Sequence, residues 1–459
     1  MHAARQPHPR QDEDRNQRDD NSENEHYPDH GTPHPGCLCT CAQTVQPSLP
    51  PLLWDNPRRN VRIEQPFRHV LAVIVVASVS SGVPAASGQT RAEELARQQA
   101  EKSKRLKPNE PGVVERALNR FEENFNDPDT TYFTFGGLYP SAGFAPGFAY
   151  RNAFGHARLD LGVAYSVKAY KLAHASLRFP SLAANRLELE THVRWTDATQ
   201  VPFYGLGMQT RRDGRTNYGL TRLDAGGSAV FKPVRWYRIG AGLASERIED
   251  SEGAGSRPSI ETYHTPVTAP GLRSDARYIH TRAFTAIDWR ESAGYTRRGG
   301  LYSLAFNDFR DPDDRLGFQR VDAELRQYVP VLKEHWVLAV RALLQTTTSD
   351  DGQVVPYHLL PSLGGARTHR GYTDFRFQDR HLLLLSGEYR WLPSRVLDMA
   401  IFVDAGKVTA DRRDLDFNHL ETAYGIGARI HGPTVTPLRI DVARGSEGIR
   451  LHITGGLTF

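Results

Sequence analysis

Three observations predict an all-β chain, folded as a transmembrane antiparallel β-barrel of about sixteen strands. The first is alternation. In the final segment Ile449, Leu451, Ile453, Leu457 and Phe459 share one side while Arg450, His452 and Thr454 take the other, because successive strand side chains face opposite ways. The second is hydropathy: 39% of the residues are hydrophobic, mean hydropathy is −0.52, and no apolar run is long enough for a spanning helix. That excludes a helical multi-span protein but not a barrel, whose strands hide their apolar face by alternation. The third is an asymmetry of connections. Short turns such as Leu392-Pro393-Ser394 alternate with long loops such as 246–275 and 346–380, as in outer-membrane barrels.

Residues 1–60 are rich in Asp, Asn, Arg, Pro and His and carry almost no periodic apolar residues, so they form a leader too polar to fold. Residues 61–88 follow the order of a secretory signal peptide. Arg62, Arg68 and His69 precede the apolar stretch from Val70 to Val79, and Val83-Pro84-Ala85 leads into small residues through Gly88. A signal placed behind so long a polar leader implies that translation begins near Val61. Residues 89–130 hold one short amphipathic helix, in which Val114, Ala117, Leu118, Phe121 and Phe125 recur at helical spacing after Pro111-Gly112. This segment is expected to be a periplasmic linker or a plug, and it is too short for a periplasmic domain with its own core.

Residues 131–459 are expected to form the barrel. Leu159, Leu161, Val163, Tyr165 and Val167 alternate with Arg158, Asp160, Gly162, Ala164 and Ser166. The same period recurs in Leu187, Leu189, Val193 and Trp195, in Trp336, Leu338, Val340, Ala342 and Leu344, in Leu397, Met399, Ile401 and Val403, and in Leu438, Ile440 and Val442. Arg, Glu and His at every second position would be costly in the dry core of a soluble sandwich, whereas a watery lumen removes that cost. The 39 glycines, 18 tyrosines and 20 phenylalanines suit such a wall with aromatic girdles.

Other chemistries find little support. A net charge of +4 is small for 459 residues and indicates no nucleic-acid partner. Cys37, Cys39 and Cys41 cluster in the leader with no second ligand pair at zinc spacing. No G-x-S-x-G, H-E-x-x-H or confidently placed His-Ser pair marks a hydrolase, so no catalytic residue, metal or cofactor is assigned. Gly425, Gly427, Gly455 and Gly456 read as curvature or close-packing sites in strands, because no helix follows them.

Several motifs occur in order near the end: Leu363-Gly364-Gly365, Arg370-Gly371-Tyr372, Glu388-Tyr389-Arg390 and Phe402-Val403-Asp404-Ala405-Gly406-Lys407, followed by Tyr424-Gly425-Ile426-Gly427. Upstream, Phe203-Tyr204-Gly205-Leu206-Gly207 reads as part of another strand. Together they resemble the bacterial surface-antigen superfamily of outer-membrane β-barrels, the group of the barrel-assembly factor and the two-partner secretion channels. The resemblance covers about residues 200–459 and rests on the order of the motifs, since each string alone is weak.

The resemblance implies that the long loop folds back into the lumen, where Arg370, with Gly371 and Tyr372, meets Asp404 beside Phe402, with Glu388 as a second acidic neighbour. Alternation independently turns Phe402, Asp404 and Glu388 toward the lumen. It also implies a C-terminal signal for membrane assembly in Ile453, Leu457 and Phe459. The expected partners are outer-membrane lipid, the barrel-assembly machinery for the chain's own insertion, and a separate periplasmic protein. That last partner follows from a departure: the stretch between Ala85 and Thr131 cannot hold the polypeptide-transport modules of the best-known members. The implied role is translocation or insertion of proteins, or of lipids, at the outer membrane of a Gram-negative bacterium. A passive pore or a structural surface antigen shares the alternation, and an outer-membrane hydrolase is the remaining alternative.

Overall fold

The structure, a computed structural model, describes residues 112–126, 130–135, 138–331, 335–455 and 459, together with helical positions 94, 97, 98 and 101. The leader, the expected signal peptide and the three cysteines lie outside the described residues. The helix α1 (Val113–Asn126) starts with the Arg116 amide donating to the Gly112 carbonyl, and it packs beside β1.

The strands in chain order are β1 (Thr130–Phe135), β2 (Pro146–Phe154), β3 (Ala157–Tyr165), β4 (Lys171–Leu182), β5 (Leu187–Phe203), β6 (Thr216–Val234), β7 (Tyr237–Glu252), β8 (Ala276–Asp288) and β9 (Gly299–Arg310). They continue as β10 (Phe318–Val331), β11 (Trp336–Ser349), β12 (Ser362–Leu363), β13 (Phe377–Gln378), β14 (His381–Trp391), β15 (Leu397–Thr409), β16 (Glu421–Ile430), β17 (Leu438–Gly445) and β18 (Gly448–Thr454). All except β12 and β13 form one antiparallel sheet of 16 strands in sequence order, the architecture expected of an outer-membrane barrel. Among the described pairs no ladder joins β18 back to β1.

The wall is apolar outside and charged inside. Leu338, Ile401, Val403, Ile426 and Leu451 are exposed on the outer face. Inward-facing positions of the strands carry ion pairs, including Arg151 with Asp160 at 3.0 Å, Arg222 with Glu246 at 2.6 Å and Arg341 with Glu324 at 2.6 Å. Outward aromatic residues gather at the short-turn end, where Trp336 stacks on Tyr389 at 5.4 Å and Trp289 meets Tyr302 edge-on at 4.8 Å. Tyr and Trp suit such a belt because each has an apolar body and a polar tip for the headgroup level.

At the opposite end the loops pack together. Tyr357 meets Phe203 at 5.2 Å and Tyr218 at 4.8 Å, and Tyr139 stacks on Phe375 at 6.0 Å, all within one buried apolar cluster. Those rings join the loops of the long-loop end in a single apolar cluster.

Four local expectations are corrected. The long loops span 253–275 and 350–380, shorter than read from the sequence, because β7 and β11 continue beyond the bilayer-length pattern. Tyr204 to Gly207 leave β5 at its end and form a loop, with Gly205 and Gly207 at positive φ of 96° and 85°. Val167 lies past the end of β3. Phe459 does not join the outward set of Leu451 and Ile453: a bend at Gly455 ends the alternation, and the ring sits inside the barrel with Tyr328, Val337 and Ala339. Leu457 and Gly456 lie outside the described residues.

Candidate functional site

The loop between β11 and β14 turns inward as a small hairpin, β12 paired with β13, whose tip is residues 364–376. Gly364 and Gly365 stand at φ of 125° and 89°, a region L-residues rarely adopt, and this lets the chain reverse there. The turn is closed by the Gly365 amide donating to the Tyr372 carbonyl at 2.9 Å, and by Thr368 Oγ1, which accepts from the Gly364 amide and donates to its carbonyl. The tip is therefore a formed hairpin and places Arg370 at its apex.

Arg370 is fully buried, as are Glu388 on β14 and Asp404 on β15. Its Nε donates to Asp404 Oδ2 at 2.8 Å and its Nη2 to Oδ1 at 2.7 Å, a two-bond fork. Its Nη1 donates to Glu388 Oε1 at 2.5 Å, and its own amide adds a bond to Asp404 at 3.1 Å. The guanidinium carbon lies 3.3 Å from the centre of the Phe402 ring. Register explains the convergence: Glu388 is directly opposite Phe402, and Ser386 opposite Asp404, so the three side chains share one inner patch. Burial works against the charge of Arg370, but Asp404 and Glu388 outweigh it and raise its pKa above the ordinary value.

Gly371 and Tyr372 hold the apex to β16 and β17. A β-carbon at Gly371 would overlap that of Ala423, and Tyr372 OH donates to Glu421 and shares a bond with Ser446 Oγ at 2.8 Å. Burial pushes the Tyr372 hydroxyl up to about 12, keeping it a donor. Small inward residues make the space: a β-carbon at Gly425 would overlap the Phe402 ring, and one at Gly427 the Asp441 carboxylate. Gly425 and Gly427 are close-packing sites in β16. Gly455 lies beyond β18 at the bend.

Several partners escape the motifs. Glu388 Oε2 accepts from Arg390 Nε at 2.6 Å and from Arg429 Nη2 at 2.8 Å, so one carboxylate gathers three guanidiniums. His452 Nε2 lies 2.8 Å from the Arg370 carbonyl, and Arg439 Nη2 donates to the Ala366 carbonyl at 2.8 Å. The Phe203–Gly207 segment also serves this loop: Tyr204 OH bonds Thr373 Oγ1 at 3.0 Å, and the Gly207 amide donates to the Gln378 carbonyl at 2.9 Å. Arg376 lies over both Tyr204 and Phe377 and pairs with Glu447 at 2.6 Å. Inward parity was the available signal for Arg390 and Arg429, which stand at alternate positions with Glu388 and Gly427.

Of the expected C-terminal residues, Ile453 lies on β18 opposite Ile440. Phe459 lies 5.5 Å from the Arg390 guanidinium and 6.3 Å from the Tyr328 ring. Among the described residues, no group of three or more His, Cys, Asp or Glu side chains is arranged to hold a metal ion.

A family model described as the Omp85 superfamily domain matches residues 152–459. Among solved structures, BamA from Haemophilus ducreyi lacking POTRA domains 1-3 superposes with a TM-score of 0.50 at 16% identity, over 75% of this chain and 78% of that one. CdiB from Acinetobacter baumannii gives 0.45 at 11% identity, over 74% and 68%, and CdiB from Escherichia coli 0.46 at 14%, over 71% and 62%. No match is found among the curated proteins.

Proposed function

Because the chain belongs to the Omp85 superfamily, we propose that it acts at the outer membrane of a Gram-negative bacterium in translocating or inserting polypeptides, with a separate periplasmic protein delivering them. The observation that carries the reading is the buried Arg370 fork on Asp404 and Glu388, which holds a loop inside a lumen otherwise lined by charge. A lumen filled by its own loop is poorly suited to passive diffusion and suited to a barrel that opens when engaged. The separate partner would supply client capture. Outer-membrane lipid surrounds the outward set, and the assembly machinery inserts the chain itself.

The test is reconstitution. Vesicles carrying the purified chain, supplied with a periplasmic extract and an unfolded barrel protein, should fold that client faster than vesicles carrying an unrelated barrel, as read by heat-modifiable gel migration. Equal rates sink the reading, and a stable open conductance in planar bilayers would favour the passive pore. A second expectation concerns the terminus. Deleting Phe459 removes an aromatic ring from a buried cluster with Tyr328 and Arg390, and if Ile453, Leu457 and Phe459 form an assembly signal, the deletion lowers the amount of chain recovered in the outer membrane at least several-fold. Full recovery of the truncated chain would count against that signal.

A further inference from the structure

The connection between β8 and β9, residues 289–298, lies at the short-turn end yet has ten residues where its neighbour between β6 and β7 has two. Its far contact is the turn between β16 and β17, residues 431–437, six strand positions away around the sheet. Ser292 Oγ donates to the Thr434 carbonyl at 3.4 Å, and Thr436 Oγ1 donates back to the Gly294 carbonyl at 2.9 Å. The Tyr295 and His431 rings stack at 3.8 Å with 10° between their planes. Gly294 is seated so closely that a β-carbon would overlap the Thr434 carbonyl oxygen.

Geometry makes this a crossing. A round barrel of sixteen tilted strands is about 30 Å across, so two turns six positions apart stand nearly a diameter from one another. Ten residues reaching out and back extend about 17 Å and seven about 12 Å, so the two meet only by folding inward across the opening. The segment is also built to hold its shape. The Glu291 amide donates to the Arg298 carbonyl at 3.2 Å, the Arg297 amide to Glu291 Oε1 at 2.9 Å, and Thr296 Oγ1 to the Ser292 carbonyl. Tyr295 and Thr296 are buried.

The same segment touches the wall. Arg390 Nη1 reaches the Thr296 carbonyl at 3.5 Å while the Arg390 guanidinium lies 5.5 Å from the Phe459 ring and pairs with Glu388. We propose that residues 289–298 are a strap that closes the short-turn mouth of the lumen, a second closure in series with the Arg370 hairpin. Glu388 joins the two, binding Arg370 from one end and, through Arg390, the strap and the C-terminal ring from the other. A polypeptide passing through this lumen must displace both closures.

Series closure has a distinctive signature in planar-bilayer conductance. Removing the hairpin tip, residues 364–376, with an Asn-Gly turn joining Leu363 to Phe377, should leave the barrel closed. Shortening 291–297 to Asn-Gly should also leave it closed. Combining the two should raise conductance at least tenfold over either alone, with the β-sheet circular-dichroism signal of the parent retained in each barrel. Gly294→Val in the tip-deleted barrel, which undocks the strap without shortening it, should do the same. Full conductance from the tip deletion alone, or none from the combination, overturns the proposal. Should the deletions prevent folding, docking is read in the intact chain with Cys37, Cys39 and Cys41 changed to serine. A Ser292→Cys and Thr434→Cys pair is then expected to cross-link on oxidation, and its failure to do so overturns the strap.

Discussion

Arg370→Ala is expected to abolish the heat resistance of the folded barrel on gels and to open the 350–380 loop to surface protease. The substitution removes three side-chain bonds to two fully buried carboxylates. Glu388 keeps Arg390 and Arg429, but Asp404 loses the guanidinium that forks both its oxygens. Leaving one buried partner unpaired costs about 3–5 kcal/mol, more than the pair itself contributes relative to apolar replacements. Two controls separate this from lost packing. Arg370→Lys keeps the charge but cannot fork, so it should recover only part of the resistance. Adding Asp404→Asn to Arg370→Ala removes the orphaned charge, and the double variant should be no worse, and by this reasoning better, than the single one. Unchanged heat resistance and unchanged protease access in Arg370→Ala would remove the lock.

The wall was legible in advance because a strand between two solvents must alternate, and the contrast survives in single positions such as Ile401, Phe402, Val403 and Asp404. Parity alone assigned Glu388, Phe402 and Asp404 to one face, and the register then brings them within reach of one another. Parity stops being informative where a strand stops. Phe459 keeps the same spacing as Leu451, yet its ring lies inside the barrel beyond the bend at Gly455, and Tyr204 to Gly207 look strand-like while forming a loop against Gln378. The strap was illegible for a different reason. Nothing in Glu291-Ser292-Ala293-Gly294-Tyr295 indicates a partner 142 residues later; the contact depends on strand count and on how far two turns lean, quantities set by the whole sheet and not by local pattern. His452 is similar: its parity points inward, but only the depth of the hairpin decides that it meets the Arg370 carbonyl.

Glu388→Gln should be more damaging than Arg370→Ala, and the reason lies in which charge is left behind. An orphaned Asp404 can take up a proton and become neutral, which limits its cost. A guanidinium cannot discharge. Glu388 receives Arg370 Nη1, Arg390 Nε and Arg429 Nη2 at 2.5, 2.6 and 2.8 Å. A glutamine of the same shape keeps one acceptor oxygen, aims an NH2 group at a cation and supplies no charge. Arg370 retains Asp404, but Arg390 and Arg429, both buried, lose the carboxylate that each is bonded to. At about 3–5 kcal/mol for each buried unpaired charge, discounted for water that enters the lumen, the loss exceeds that of Arg370→Ala. The expected result is little or no folded barrel in the membrane fraction at low salt. Because the deficit is one of negative charge, chloride or phosphate at high concentration should recover folded material for Glu388→Gln and do much less for Arg370→Ala. Glu388→Asp, which keeps the charge but shortens the reach, should fall between the two. A Glu388→Gln barrel as heat-resistant as its parent, with no response to added anion, would mean that the three arginines are held by something other than this carboxylate.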